Sequence, residues 1–282
     1  LPQKQIEMKQ HLALLFMALL FLASPTMQAR RLKLMTYNIH HAEGMDKRYD
    51  PLRIAQLIAD EAPDVVALQE VDSATQRVGG HYVAADIAQP LGMQDVYGAA
   101  IPFQGGKYGV ALLSKTSPKE VRNISLPGRE EKRTLLIADY GEYVVCCTHL
   151  SLTAEDRIQS IPLIRKALRK YRRKPIFIMG CSSQIHKDYY LPIKNIRGII
   201  GSSGKNDIEK ILENKDGETV DHVKKDSRHF SYEDTPTKEG EKNVRGYLKV
   251  QDGCDNFCSY CVVPFTRGNS RSRSHVSVIE EA

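Results

Sequence analysis

Lys174-Pro175-Ile176-Phe177-Ile178-Met179-Gly180-Cys181 decides how this chain is read. Proline followed by four apolar residues and a glycine has the length and boundaries of a buried strand. Upstream lies a series of short strands and helices with polar residues at the strand ends. Downstream, the chain leads to a cysteine cluster at Cys254, Cys258 and Cys261. Two kinds of chemistry therefore meet at Gly180-Cys181. With 282 residues, 41% of them hydrophobic, the chain can bury one or two cores.

Upstream of the junction, Lys33–Tyr37 reads as a strand ending at Asn38. Asp50-Pro51 is a helix start, a capping carboxylate followed by proline at the first helical position. Leu52, Ala55, Leu57 and Ile58 then give an apolar helical face to about Glu61. Val65–Leu68 is a short strand running out into Gln69-Glu70-Val71-Asp72, and Val110–Leu113, Leu135–Ala138 and Val144–Thr148 are further strands. A basic helix over Ala154–Tyr171, interrupted by Pro162, leads into Pro175–Met179. This order of elements predicts an α/β fold with a layered sheet and a site on its rim. Asn38, Glu70 and His149 are the rim residues. A carboxylate suits Mg²⁺, and an amide and an imidazole beside it can hold phosphoryl oxygens. Singly, each also fits a plainer role: a turn residue, a solvated loop residue and a strand-end histidine.

The formal net charge of +6 is compatible with a polyanionic partner but does not specify one. Tryptophan is absent and aromatics are 7%, so no stacking platform is visible. Met8-Lys9, the apolar run Leu12–Ala23, and Ser24-Pro25 with a cleavage point after Ala29 read as a signal peptide over 8–29, with Leu1–Glu7 as flank. The run is short for a bilayer span, so no stable membrane span is expected. Export conflicts with the reducing compartment that a cysteine-ligated cluster needs. One signal implies a secreted or periplasmic chain and the other a cytoplasmic one.

Thr36-Tyr37-Asn38-Ile39-His40, Leu68-Gln69-Glu70-Val71, Tyr108–Ser114 and Thr148-His149-Leu150 together resemble the endonuclease/exonuclease/phosphatase superfamily in order and spacing. The resemblance implies a two-sheet α/β sandwich over 30–180 and Mg²⁺-dependent phosphoester hydrolysis. By it, Glu70 is a metal ligand, Asn38 a metal-site and catalytic residue, and His149 a phosphate-contacting catalytic histidine. Arg133 falls where the family carries a phosphate-facing basic residue. The family continues from the strand at 175–179 into Gly-Asp-x-Asn, where this chain has Gly180-Cys181-Ser182-Ser183. The family's later Asp-His pair has no counterpart, since Asp221-His222 stands in unlike surroundings. A missing base costs on the order of a hundredfold or more, so this half is expected to be inactive or nearly so.

Downstream, Gly180–Gln184, Ile199–Ser202 and a helical Asn206–Leu212 form a short α/β unit, Lys215–Gly240 is a polar linker, and Arg245–Gln251 is a strand. Cys254, Cys258 and Cys261 have three and then two intervening residues, a spacing able to hold three irons of a [4Fe–4S] cluster. Zinc, with His275 or His229 as a fourth ligand, and disulfides remain open on spacing alone. Leu248–Cys254, Phe257–Cys261 and Val262–Gly268 closely resemble the radical S-adenosylmethionine methylthiotransferases. Lys-Val-Gln-Asp-Gly-Cys with Arg-Gly-x-x-Arg-Ser-Arg is most like the branch acting on threonylcarbamoyladenosine in tRNA.

That resemblance implies a [4Fe–4S] cluster on the three cysteines, S-adenosylmethionine on its open iron, tRNA as partner, and Cys181 as ligand of a second cluster. Only one of the three cysteines of that second cluster is present. Arg267, Arg271 and Arg273 are expected to face phosphate or solvent. The expected organisation is 181–214 as the end of a methylthiotransferase N-terminal domain, 215–244 as linker, and 245–282 as the start of a radical S-adenosylmethionine barrel that stops one strand and one helix in. The whole reads as a composite of two partial modules. Three functions stay open: a methylthiotransferase-like fragment, a secreted Mg²⁺-dependent hydrolase, and a non-catalytic composite with exposed sheet edges and low stability.

Overall fold

A strand buried on both faces shows no hydrophobic alternation, and that pattern marks the centre of this molecule. In the computed structural model, which describes residues 32–202, 211, 220–223, 230–232, 248–258, 261 and 263–282, two strands have this character. They are β4 (Gly106–Ser114), buried from Gly109 to Ser114, and β6 (Arg133–Asp139), buried over almost its whole length.

β4 belongs to a four-stranded sheet in the order β1-β2-β4-β3, with β1 at Leu34–Asn38, β2 at Val65–Ser73 and β3 at Gln94–Phe103. β1 lies parallel to β2, and the other pairs are antiparallel. Helices α1 (Pro51–Glu61) and α2 (Val83–Leu91) cover one face, where Ala55, Ile58, Val83 and Ile87 pack on Val66, Leu68, Ala111 and Leu113. Each fully buried side chain of this size contributes about 1.5–3 kcal/mol. α1 begins as its sequence predicts, with the Asp50 carboxylate accepting from the backbone N–H of Leu52 and Arg53 at 3.1 and 3.2 Å.

β6 is the middle strand of an antiparallel sheet with β5 (Glu120–Leu126) and β7 (Val144–Thr148). β5, β6 and β7 pack across the open face of the first sheet. On the far side of this second sheet lies α3 (Ala154–Leu168), whose Ile164 and Ala167 meet Leu135 and Ile137. The two-sheet α/β sandwich expected from the sequence is therefore formed by β1–β7.

The strand of the opening octapeptide, β8 (Ile176–Met179), stands apart from both sheets. It pairs in parallel with β9 (Ile196–Ile200), and β9 with β10 (Val220–His222). Helix α4 (Cys181–Tyr190) makes the crossover between β8 and β9. Gly180 turns the chain from β8 into α4 at φ 128° and ψ −173°, a conformation open essentially only to glycine. This corrects the expectation that 175–179 extends the sandwich: its ladder partner comes from downstream of the junction.

Other boundaries differ too. β2 runs through Glu70 to Ser73 rather than ending at Leu68. The helix expected to reach Tyr171 ends at Leu168 and tightens into a 3₁₀ turn over Arg169–Tyr171. Of the strand expected over Arg245–Gln251, Leu248, Lys249 and Val250 are irregular, and residues 245–247 lie outside the described ones. Only β11 (Gln251–Asp252) pairs, with β12 (Arg271–Ser272), because Gly253 turns the chain immediately afterwards. Two short helices, α5 (Val263–Arg267) and α6 (His275–Glu281), complete the described part, and α5 touches α4. No barrel is formed among the described residues. The signal-peptide segment, His229, and the expected helix Asn206–Leu212 apart from buried Ile211 lie outside them. No helix among the described residues is long and apolar enough to cross a membrane.

Candidate active site

Asn38 ends β1, Glu70 lies within β2, and His149 directly follows β7, so the site gathers at one rim of the sandwich. Glu70 is set by a β-bulge. Gln69 pairs with Val110 and Val71 with Gly109, which leaves Glu70 as an extra residue in the ladder at φ +59°. The left-handed conformation costs a non-glycine residue about 1–2 kcal/mol, and a bulge re-aims a side chain that the regular pleat would send elsewhere. β3 carries a matching irregularity between Ala99 and Ile101, opposite the same Gly109-Tyr108 step of β4. Gly109 permits the close approach, because a Cβ there would lie 2.1 Å from the carbonyl oxygen of Gly98.

The three rim residues meet. The Asn38 side-chain amide donates to Glu70 Oε1 at 2.8 Å, and His149 Nε2 lies 3.6 Å from the same oxygen. Asn38 is itself held by the His40 N–H, which donates to Asn38 Oδ1 at 3.1 Å. Among the described residues, Glu70 Oε2 has no hydrogen bond, so a carboxylate oxygen is presented at the rim. Burial keeps the His149 imidazole below its ordinary pKa, the positive charge of Arg133 adds to this, and Glu70 opposes it. The neutral imidazole form is thereby favoured, with one ring nitrogen to donate a hydrogen bond and the other to accept one.

Further groups complete the surroundings, and sequence reasoning assigned none of them. Tyr108 is raised above its ordinary pKa, first by burial and then by the charge of Glu70, so it remains a phenol. Arg77 stacks over Phe103 and Tyr108, with 4.7 and 5.3 Å to the ring centroids, and grips the fully buried Asp72 through two 2.6 Å hydrogen bonds. The bulge that frees Glu70 also brings Asp72 opposite Tyr108.

Arg133, expected to face phosphate, is instead buried and turned to Glu131 and Glu130 at 2.7 and 3.2 Å. The Glu130 carboxylate also accepts from Ser151 Oγ and the Leu152 N–H. Arg133 therefore braces the loop carrying His149 through Glu130. Cys147 is buried behind the site, 3.3 Å from Gln69 Nε2, and burial raises its thiol to about 12. Such a thiol is inert.

Cys181 begins α4, exposed, and makes no hydrogen bond to Asn38, Glu70 or His149. Cys254, Cys258 and Cys261 are half-buried, exposed and half-buried on an irregular loop tied down by the Cys254 N–H donating to Gly268 at 3.0 Å. All six cysteines are free thiols. Arg271 and Arg273 depart from the expected exposed role: Arg271 pairs with Asp252 at 3.2 Å, and buried Arg273 pairs with Glu281. Arg267 is exposed. The one trio of His, Cys, Asp or Glu ligand atoms lying within 4.8 Å of one another among the described residues is His40, His41 and Glu43.

Residues 35–181, more than half of the chain, match the model of the endonuclease/exonuclease/phosphatase family. The chain belongs to this family. Its overlap with solved structures is partial. An endonuclease/exonuclease/phosphatase from Beutenbergia cavernae is 26% identical with a TM-score of 0.41, over 49% of this chain and 44% of that one. An AP endonuclease from Archaeoglobus fulgidus is 17% identical with a TM-score of 0.36, over 50% and 52%.

The curated relatives are of another kind. A tRNA-2-methylthio-N(6)-dimethylallyladenosine synthase of Oleidesulfovibrio alaskensis is 31% identical over 42% of this chain and 26% of its own length. The ribosomal protein uS12 methylthiotransferase RimO of Desulfitobacterium hafniense is 28% identical over 48% and 31%. The dimethylallyladenosine synthase of Christiangramia forsetii is 28% identical over 66% and 36%. The chain spans about a quarter to a third of the length of these relatives.

Proposed function

We propose that Asn38, Glu70 and His149 form a divalent-metal phosphoesterase site with slow turnover. One observation carries this reading: Glu70, pushed out on a left-handed bulge, is met at one oxygen by both Asn38 and His149. The other oxygen is a hard donor suited to Mg²⁺, which takes one or two carboxylates and leaves its remaining positions to water and phosphate. When bound, such an ion supplies a Lewis acid to the phosphoryl oxygen. Asn38 fixes the carboxylate, neutral His149 hydrogen-bonds the phosphoester, and the Tyr108 phenol adds a donor at the rim. Cys181 stands where the family sequence brings an aspartate, and a thiol there supplies no carboxylate base. Turnover is accordingly lower by on the order of a hundredfold or more. Hydrolysis of bis(p-nitrophenyl) phosphate with Mg²⁺ or Mn²⁺ tests the reading. Slow hydrolysis that Glu70→Ala abolishes is expected, and no hydrolysis with either metal refutes it.

A second reading rests on the spacing of Cys254, Cys258 and Cys261 together with the methylthiotransferase relatives. Three partly or fully exposed thiols on one anchored loop suit a [4Fe–4S] cluster with one iron open to S-adenosylmethionine, and a thiolate loop gathers around its metal on binding. In this reading residues 181–282 are a piece of a radical S-adenosylmethionine methylthiotransferase acting on adenosine in tRNA, threonylcarbamoyladenosine by sequence wording. The domain division at 180/181 belongs to the same proposal. Anaerobic reconstitution should give about four irons per chain and a brown protein. Tightly held zinc with no iron uptake would exclude the cluster.

A further inference from the structure

The sequence singles out Asn38 and passes over the two histidines that follow it, yet the backbone does something unusual there. His40, His41 and Ala42 are three successive non-glycine residues with φ of +46°, +44° and +63°. Such conformations persist only where the surroundings over-determine them. Here the Ala42 N–H donates to the Ile39 carbonyl, the Glu43 N–H to His40, and the Asp50 N–H to Ala42, each at 2.9 Å. The result is a left-handed turn that brings two imidazoles and a carboxylate from four consecutive residues to one place.

We propose that His40, His41 and Glu43 form a binding site for a transition-metal dication of the zinc class. Their ligand atoms lie within 4.8 Å of one another, and His41 Nε2 is 3.7 Å from Glu43 Oε2. The rings of His40 and His41 are 4.4 Å apart between centroids and tilted rather than stacked, so each offers its own nitrogen. Lys47 holds Glu43 Oε1 at 3.2 Å, which leaves Oε2 on the histidine side. The nearby positive charge of Arg77 is engaged by Asp72.

Two imidazoles and one carboxylate form a donor set suited to zinc and to the neighbouring first-row ions, whereas magnesium prefers all-oxygen surroundings. The donors lie within 4.8 Å of one another, and side-chain rotations that bring them to about 3.3 Å close a tetrahedral site with its fourth position open. His41 is buried and Glu43 half-buried, so the donors are partly ordered before any ion arrives. The site is distinct from the Glu70 carboxylate and does not rest on the phosphoesterase reading.

The test is zinc binding to the full chain, followed by competition with a chromophoric chelator. Cys254, Cys258 and Cys261 are changed to serine so that thiolates do not compete. One zinc per chain that is retained in Glu70→Ala is expected. His40→Gln, at an exposed position, and Glu43→Gln should each weaken binding about tenfold or more, the loss expected even of an outer-shell partner. Glu70→Ala should leave it unchanged. With Co²⁺ in place of zinc, the visible spectrum should show nitrogen and oxygen ligation without thiolate charge-transfer bands. No bound zinc, zinc indifferent to both glutamine variants, or zinc lost with Glu70→Ala overturns the assignment.

Discussion

Glu70 shows how much of this site is backbone rather than side chain. Its identity supplies the carboxylate, but its direction comes from one extra residue in β2, tolerated because Gly109 lets β3 approach and because Asp72 and Arg77 lock the strand beyond the bulge. The strain has a measurable signature. At φ +59° any Cβ is penalised, whereas glycine is not. Glu70→Ala and Glu70→Gly both remove the carboxylate and its contact with Asn38, so they differ mainly in the backbone. The glycine variant is expected to be the more stable by about 1 kcal/mol in urea unfolding, and neither should hydrolyse a diester. An alanine variant as stable as the glycine one would show that the bulge relaxes once the carboxylate is gone. Stability would then trade against function at this residue.

At the scale of elements, the sequence revealed those parts whose signals are local. Asp50-Pro51 announced α1, the runs at 110–113, 135–138 and 144–148 announced β4, β6 and β7, and Asn38, Glu70 and His149 were found because polar residues after short apolar runs are conspicuous. α2, β3 and β5 were not seen. α2 contains Pro90 and has no side-chain cap, and β3 mixes glycine, alanine and proline without alternation. Their form is decided by packing on β2, β4 and β6, which no local pattern reports. Arg77 and Asp72 escaped for the same reason: their pairing depends on a bulge invisible in sequence. The position of β8 could not be read either, because an apolar strand does not state its ladder partner. α3 offers a test of how local propensity yields to context. Pro162 lies inside it at an exposed position, removing one helical hydrogen bond and crowding the preceding turn. Since little packing is lost with the ring, Pro162→Ala should stabilise the chain by about 1–2 kcal/mol, raising the thermal midpoint. A lowered midpoint would mean that the proline sets a bend the two flanking cores need.

The whole molecule responds to pH and to local opening through the way its layers are joined. His41, His149 and His186 all lie below the ordinary imidazole value of 6.5, in each case first through burial. Above pH 6.5 they are neutral in both folded and unfolded chains. Below it the unfolded chain takes up protons that the folded chain resists, so stability falls as pH drops through their folded values. The thermal midpoint should decrease between pH 7 and 5.5, less steeply in His186→Gln, a change in α4 away from the rim; equal slopes would clear His186 of a role. Opening should be uneven as well. The sandwich is closed by two helices on one face and α3 on the other, whereas the β8–β9–β10 sheet rests on a small cluster of Ile161, Tyr190, Ile193, Ile196, Ile199 and Val223. α3 belongs to both, since Ile164 and Ala167 face the second sheet while Ile161 faces the third. Regions with few buried apolar contacts open at lower free energy than the global transition. Hydrogen exchange should therefore be faster over 176–200 than over 65–73, 106–114 and 133–139. Ile161→Ala, costing about 2–4 kcal/mol at its own site, should accelerate 176–200 and leave the sandwich strands protected. Uniform acceleration across all strands would show that α3 binds the three sheets into one cooperative unit spanning both sides of Gly180.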